Sequence, residues 1–219
     1  MNNTTIYLIR HGEVKYPLDN QGQKLLYGPD VNLSTNGRKG VELLGKQLLK
    51  DRDSINVLYT SPSIRAIQTA DIIARILGIK TIIQNENLKD TYTPGYTGTP
   101  YKDLIAIGGN TYEHPRSPDQ ETIIHISKRM SRAFKKIFNI AEKKRITVGI
   151  VSHGDPLRVL LEYLLHPENP LPNPATMRDE DYLEKGTAVR LVLDSRMKVI
   201  EYKFINPNKN KKSKIQQKF

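Results

Sequence analysis

Thr4-Thr5-Ile6-Tyr7-Leu8-Ile9-Arg10-His11-Gly12-Glu13 opens the chain with an apolar run that ends in a histidine and a glycine. A second run, Ile146-Thr147-Val148-Gly149-Ile150-Val151, ends the same way, in Ser152-His153-Gly154-Asp155. Short apolar runs of this kind read as buried strands. If the two are neighbours in a parallel sheet, both imidazoles meet at its carboxyl edge, where open α/β sheets place their ligands.

Further strand-like runs lie at 55–60, 79–84, 187–193 and 197–204, the last two forming a hairpin at the sheet edge. Helical patterns alternate with them. Ser34 reads as an N-cap, followed by Val41, Leu44, Leu48 and Leu49 on one face. A second helix starts near Pro62 and is closed by Gly78 as a left-handed cap. A third is expected to be capped at Ser117, with Pro118 first and Gln120 closing a capping box. A fourth follows His153 and ends before Pro167. Strands alternating with helices predict an α/β fold, a three-layer αβα sandwich with a mostly parallel central sheet. Two long irregular stretches, 13–32 and 85–117, interrupt the pattern, and loops of that length are usually functional.

The 219 residues fit one domain, expected over 1–205, with a basic tail over 206–219 expected to lack fixed structure. Lys209, Lys211, Lys212, Lys214 and Lys218 in that tail offer polyanions a contact without reading sequence; nucleic acid is not the expected partner. The net charge of +11 favours an anionic substrate by long-range attraction. With no cysteine there is no disulfide, thiolate nucleophile or thiolate zinc site. No apolar run of about 18 residues is present, so no membrane helix is expected. The N-terminus lacks signal-peptide features, and a cytoplasmic location is expected.

A phosphoryl group needs cations and backbone N–H groups fixed around its oxygens. Arg10 adjoins His11, Arg65 lies just after Thr60-Ser61-Pro62, and the amides from Gly154 onward start a helix, which favours anions. Arginine suits the role because its planar fork binds two phosphate oxygens at once. A neutral His11 can attack phosphorus and form a phosphohistidine that water hydrolyses. Nearby arginines disfavour its protonation. His153 would sit beside the phosphoryl group. A lone histidine at a strand end is commonly structural, but two with following glycines point to a site. A two-histidine metal site is the chemical rival, and it lacks an evident third ligand.

These residues resemble the histidine phosphatase superfamily, also called phosphoglycerate mutase-like. Arg10-His11-Gly12 matches its first-strand signature, and Leu33-Ser34-Thr35-Asn36-Gly37 is similar to its Leu-Thr-x-x-Gly helix start. Ser61-Pro62-Ser63-Ile64-Arg65-Ala66-Ile67-Gln68-Thr69-Ala70 resembles Ser-x-x-x-Arg-Ala-x-x-Thr-Ala. Val151-Ser152-His153-Gly154 with Arg158 resembles Val-Ser-His-Gly-x-x-x-Arg. The resemblance implies a pocket of Arg10, His11, Arg65 and His153, and catalysis without a metal or cofactor. It implies a proton donor in Leu88-Lys89-Asp90, making Asp90 the candidate general acid, with Glu13 as an orienting partner or second candidate. Glu121 and Arg129 resemble a pair at a helix start with a structural role.

Three features depart from the family's mutases. Pro17 stands where they carry a phosphate-holding Asn, for which Asn20 is a candidate substitute. The 13–32 loop is long, and Asp155 replaces a small residue. The expected activity is therefore hydrolysis of a small phosphorylated metabolite through phospho-His11. The alternatives are a cofactor-dependent mutase and a non-catalytic phospholigand-binding protein. Loops 13–32, 85–117 and 166–186 would set specificity.

Overall fold

The computed structural model describes residues 3–50, 54–178, 182–207 and 215–217. Its first strand, β1 (Thr4–Arg10), buries Ile6, Tyr7, Leu8 and Ile9 completely. A strand apolar on both sides belongs at the centre of a covered sheet. Alternation divides its side chains between two cores. Ile6 and Leu8 join the core under α4 (Ile123–Lys144) and α5 (Gly154–Leu165), while Tyr7 and Ile9 join the core under α1 (Thr35–Leu48) and α2 (Ile64–Leu77). These are the three layers expected.

The remaining strands are β2 (Ile55–Thr60), β3 (Thr81–Gln84), β4 (Thr147–Ser152), β5 (Ala188–Leu193), β6 (Val199–Ile205) and β7 (Ile215–Gln217). They lie in the order β3-β2-β4-β1-β5-β6-β7. The block β3-β2-β4-β1 is parallel throughout, and β5, β6 and β7 continue it antiparallel. Pairing of Arg10 with Ser152 puts the ends of β1 and β4 level. The expected hairpin is β5–β6, but β7 lies outside it, so β6 is not the sheet edge. Of the tail, 206–207 and 215–217 are described; 208–214 and 218–219 lie outside the described residues.

Helix starts follow local chemistry. Ser34 caps α1, its Oγ accepting from the Gly37 amide at 2.9 Å. Gly78 ends α2 at φ 71°, a left-handed conformation that glycine adopts without steric cost. Leu49 is 60% exposed and forms the C-cap of α1 rather than part of its buried face. The third helix starts later than its sequence suggests. Thr122 caps it, accepting from the His125 amide at 3.3 Å. Ser117 Oγ instead accepts from the Asp119 amide in a turn, and the Gln120 side chain donates through Nε2 to Thr111 O at 2.5 Å, so neither side chain is left to cap a helix. The 85–117 stretch also contains a six-residue helix, α3 (Tyr101–Ala106), too short to leave a periodic signal. Among the described residues no helix is long and apolar enough to cross a membrane.

Candidate active site

The level ends of β1 and β4 bring the two histidines together. The His11 amide donates to Ser152 O at 3.0 Å, and the His11 and His153 ring centroids are 5.1 Å apart with planes at 60°. Both rings are buried. His11 Nδ1 lies 2.7 Å from its neighbour's carbonyl, Gly12 O. A carbonyl can only accept, so Nδ1 carries the hydrogen and Nε2 of the neutral ring keeps a lone pair. Burial holds the His11 pKa well below the ordinary histidine value, helped by His153, Arg65 and Arg10 and opposed by the Gly12 hydrogen bond. The ring is therefore neutral at physiological pH with a nucleophilic nitrogen available.

Gly12 is required by close packing here. A Cβ on it would lie 2.7 Å from Val41 Cγ2 and 2.8 Å from Gly37 O. That crowding presses the chain after β1 against the start of α1. At Gly154, the first residue of α5, a Cβ would fall 2.9 Å from Arg10 Cζ. No side chain caps α5, which leaves its first amides facing the site.

Arg65, in the first turn of α2, is only 1% exposed, yet it reaches the cavity. It donates to Gly28 O at 3.1 Å, Pro29 O at 3.2 Å and Asp90 Oδ2 at 2.8 Å. Arg10 donates to Leu183 O at 2.6 Å and lies 4.9 Å above the Tyr182 ring. The Nε atoms of Arg10 and Arg65 are buried without a partner. Unpaired buried donors are costly, and two of them beside one cavity mark a place for an acceptor.

His153 Nε2 is 2.8 Å from Ser61 Oγ, and its buried Nδ1, without a hydrogen bond, faces Asp90 Oδ2 at 3.4 Å. Burial, then Arg65 and Arg10, holds its pKa well below the ordinary value. Asp90 thus touches both Arg65 and His153, and its side chain is 39% exposed. Burial alone would raise its pKa, but Arg65, then His11, together with the Thr91 amide, lower it. Asp90 is a carboxylate.

The Glu121–Arg129 pair supports that carboxylate. Arg129 grips Glu121 through two bonds of 2.6 and 2.9 Å. Its remaining donors hold Asn87 O and Lys89 O at 2.8 Å each and Asp90 O at 3.2 Å. Helix α4 thereby fixes the backbone that presents Asp90. Glu13 is tied to the start of α1: its Oε2 accepts from Ser34 Oγ at 3.3 Å and its carbonyl from the Ser34 amide at 2.9 Å. Arg10, His11, Glu13, Arg65, Asp90 and Gly154 all line one cavity of about 970 Å³, whereas His153 is buried and does not line it. Asn20 does not join them. It sits exposed in a turn of the 13–32 loop, away from the cavity lining, because the Leu18–Lys24 bridge turns that segment outward.

Loops 13–32 and 85–117 are stitched together along one side of the cavity. Leu26 N donates to Thr99 O at 2.8 Å, Gly98 N to Leu26 O at 2.9 Å and Tyr101 N to Lys24 O at 2.8 Å. Asp155 anchors the other side, accepting from Tyr182 Oη at 2.6 Å, Tyr112 Oη at 3.0 Å and Arg178 at 3.3 Å. This three-partner anchor and the tyrosine wall of Tyr16, Tyr27 and Tyr101 were not legible from motifs. Their only trace was the eleven tyrosines in the composition. Asp155→Ala should leave Arg178 unpaired and the Tyr182 hydroxyl without its acceptor, with Thr91 Oγ1 left as the partner of Tyr112. We expect a loss of about 2–4 kcal/mol of stability. Chemical denaturation measures it, and a change below about 0.5 kcal/mol, the size of an ordinary surface substitution, would contradict the anchoring role.

Comparison with known proteins agrees with this geometry. Residues 6–179 match the model of the histidine phosphatase superfamily (branch 1). Phosphoglycerate mutase-like protein 4 of Arabidopsis thaliana is 27% identical over 165 residues, covering 72% of this chain and 69% of that protein. The 2,3-bisphosphoglycerate-dependent phosphoglycerate mutase of Blochmanniella pennsylvanica is 26% identical over 202 residues, covering 76% and 85%. The solved structure of mycobacterial glucosyl-3-phosphoglycerate phosphatase shares the fold at a TM-score of 0.68 and 17% identity, covering 92% of this chain and 97% of that one.

Proposed function

The chain belongs to the histidine phosphatase superfamily, and on that premise we propose that it hydrolyses small phosphomonoesters through a phosphohistidine on His11. The observation that carries the reading is the neutral His11 with its Nε2 lone pair, on one cavity with Arg10 and Arg65 and with the buried His153 ring 5.1 Å behind it. The substrate's phosphoryl oxygens take the free donors of the two arginines. Nε2 attacks phosphorus as the bond to the leaving oxygen breaks. His153 and the arginines stabilise the charge spread over the equatorial oxygens.

Asp90 delivers the proton to the leaving oxygen. Arg65, paired to Asp90, keeps it ionised. An incoming phosphate competes for the same guanidinium and brings its own negative charge. Both changes raise the carboxyl's pKa and let it carry a proton when the leaving group needs one. Water then attacks the phosphohistidine, with Asp90 accepting its proton. A cytoplasmic location fits a chain without cysteine.

The second reading is a mutase that returns the phosphoryl group to a substrate hydroxyl. It is favoured by the stitched loops, since a mutase must keep water from its intermediate. A phosphometabolite screen that follows both free phosphate and isomerised product separates the two. Isomerised product without phosphate release would overturn hydrolysis. No turnover of any phosphoester would leave a binding protein.

Catalysis is expected to survive EDTA. The cations beside His11 are the arginines Arg10 and Arg65, and among the described residues no group of three His, Asp or Glu side chains is placed to hold a metal. Vanadate, which adopts five-coordinate geometry, should inhibit. Loss of activity on chelation with recovery on adding a divalent ion would restore the metal-site alternative.

A further inference from the structure

Lys185 plays no part in the chemistry above, yet it lines the same cavity. Its ammonium donates to Tyr16 Oη at 2.5 Å and lies 4.7 Å from the Tyr16 ring centre and 5.9 Å from that of Tyr27. The Arg65 guanidinium lies 5.1 Å from the same Tyr27 ring. One tyrosine therefore separates Lys185 from the phosphoryl-binding floor. An ammonium has three donors, and among the described residues Tyr16 is the hydrogen-bond partner of this one. Arg178, by contrast, is paired with Asp155.

The charges around Lys185 do not balance it. Burial pushes its pKa down to about 8, Arg10 and Arg65 add to the effect, and Glu13 and Asp90 oppose it. Tyr16, Tyr27 and Tyr101 pack in edge-to-face contacts of 5.3 and 5.4 Å and supply rings rather than carboxylates. One phosphoryl group occupies Arg10 and Arg65. A half-buried ammonium with donors to spare is left on the wall of a cavity large enough for a drug-sized ligand, with the Tyr27 ring between it and Arg65.

We propose that Lys185 is a second anion subsite, so that the substrate is a phosphomonoester whose body packs against Tyr16, Tyr27 and Tyr101 and carries a further carboxylate or phosphate to Lys185. This rests on the reading of Arg10 and Arg65 as the phosphoryl floor. It names the substrate class and does not depend on whether the phosphoryl group goes to water or to a hydroxyl.

Calorimetric binding to the His11→Ala protein tests it without turnover. Two ligand pairs differ in the second anion: 3-phosphoglycerate against glycerol 3-phosphate, and fructose 1,6-bisphosphate against fructose 6-phosphate. The two-anion member of at least one pair should bind about 10- to 100-fold tighter, the range of one charge-assisted hydrogen bond. Which pair shows the preference tells carboxylate from phosphate. Adding Lys185→Met should remove the preference while shifting the one-anion ligands by no more than about 3-fold, and Lys185→Arg should retain it.

The preference should also fade as pH rises through about 8, where the ammonium is lost, and the Lys185→Met protein should show no such fade. The groups facing Lys185 that also carry or lose charge are Tyr16, Tyr27, Arg10, Arg65, Glu13 and Asp90. A fade that persists in Lys185→Met belongs to one of those and overturns the proposal. So does equal binding within both pairs, or equal weakening of both members by Lys185→Met. A preference that behaves as expected in a wild-type protein that turns over no phosphoester supports the subsite and overturns only the enzymatic reading.

Discussion

His11→Ala should lower turnover of every phosphomonoester by roughly 10⁵-fold or more, the scale seen when a covalent nucleophile is removed. The reason is geometric. His11 is the ring whose Nδ1 is occupied by Gly12 O, leaving Nε2 for phosphorus. His153 cannot replace it, because its Nε2 is engaged with Ser61 Oγ and its Nδ1 faces Asp90. The fold should persist, since the neutral ring contributes one local hydrogen bond, to the carbonyl of its own neighbour Gly12. The melting temperature checks this. Rapid quenching of wild type with a labelled substrate should trap an acid-labile phosphoryl group that His11→Ala lacks. Near-normal turnover by the variant would mean that another group attacks phosphorus.

Asp90→Asn should slow hydrolysis of an alkyl phosphomonoester by about 100-fold or more, within the usual range for acid–base catalysis. A poor leaving alkoxide needs a proton as its bond to phosphorus breaks. Para-nitrophenolate does not, so para-nitrophenyl phosphate should be slowed much less. Glu13→Gln should not discriminate between the two substrates, since its carboxylate serves Ser34 at the start of α1. Neutral behaviour of Asp90→Asn on both substrates, with selective loss in Glu13→Gln, would move the proton donor to Glu13.

Much of this site was legible because side-chain identity and backbone position coincide at strand ends. Two apolar runs ending in His-Gly declare both their burial and their pairing, and β1 and β4 are adjacent as a result. Asp90 was legible only through resemblance, for nothing local to Leu88-Lys89-Asp90 announces Arg65 as its partner. The capping signal at Ser117 misled because the same residue types close turns, and Gln120 found a backbone carbonyl in the loop instead. The pairing of loops 13–32 and 85–117 runs through backbone amides and carbonyls, which every residue possesses, so composition cannot encode it. Lys185 is an ordinary loop lysine until the fold brings Tyr16 and Tyr27 over it.

The Arg65–Asp90 contact has a consequence for the end of the cycle. Under hydrolysis, inorganic phosphate would be the last species to leave, and a pocket of bare cations would hold it as an inhibitor. Asp90 swings the balance by offering Arg65 a resident anion at 2.8 Å, tethered and therefore at high local concentration. The protein thus carries its own rival for the product. Its release is an exchange of one oxyanion for another on a guanidinium that is never left empty.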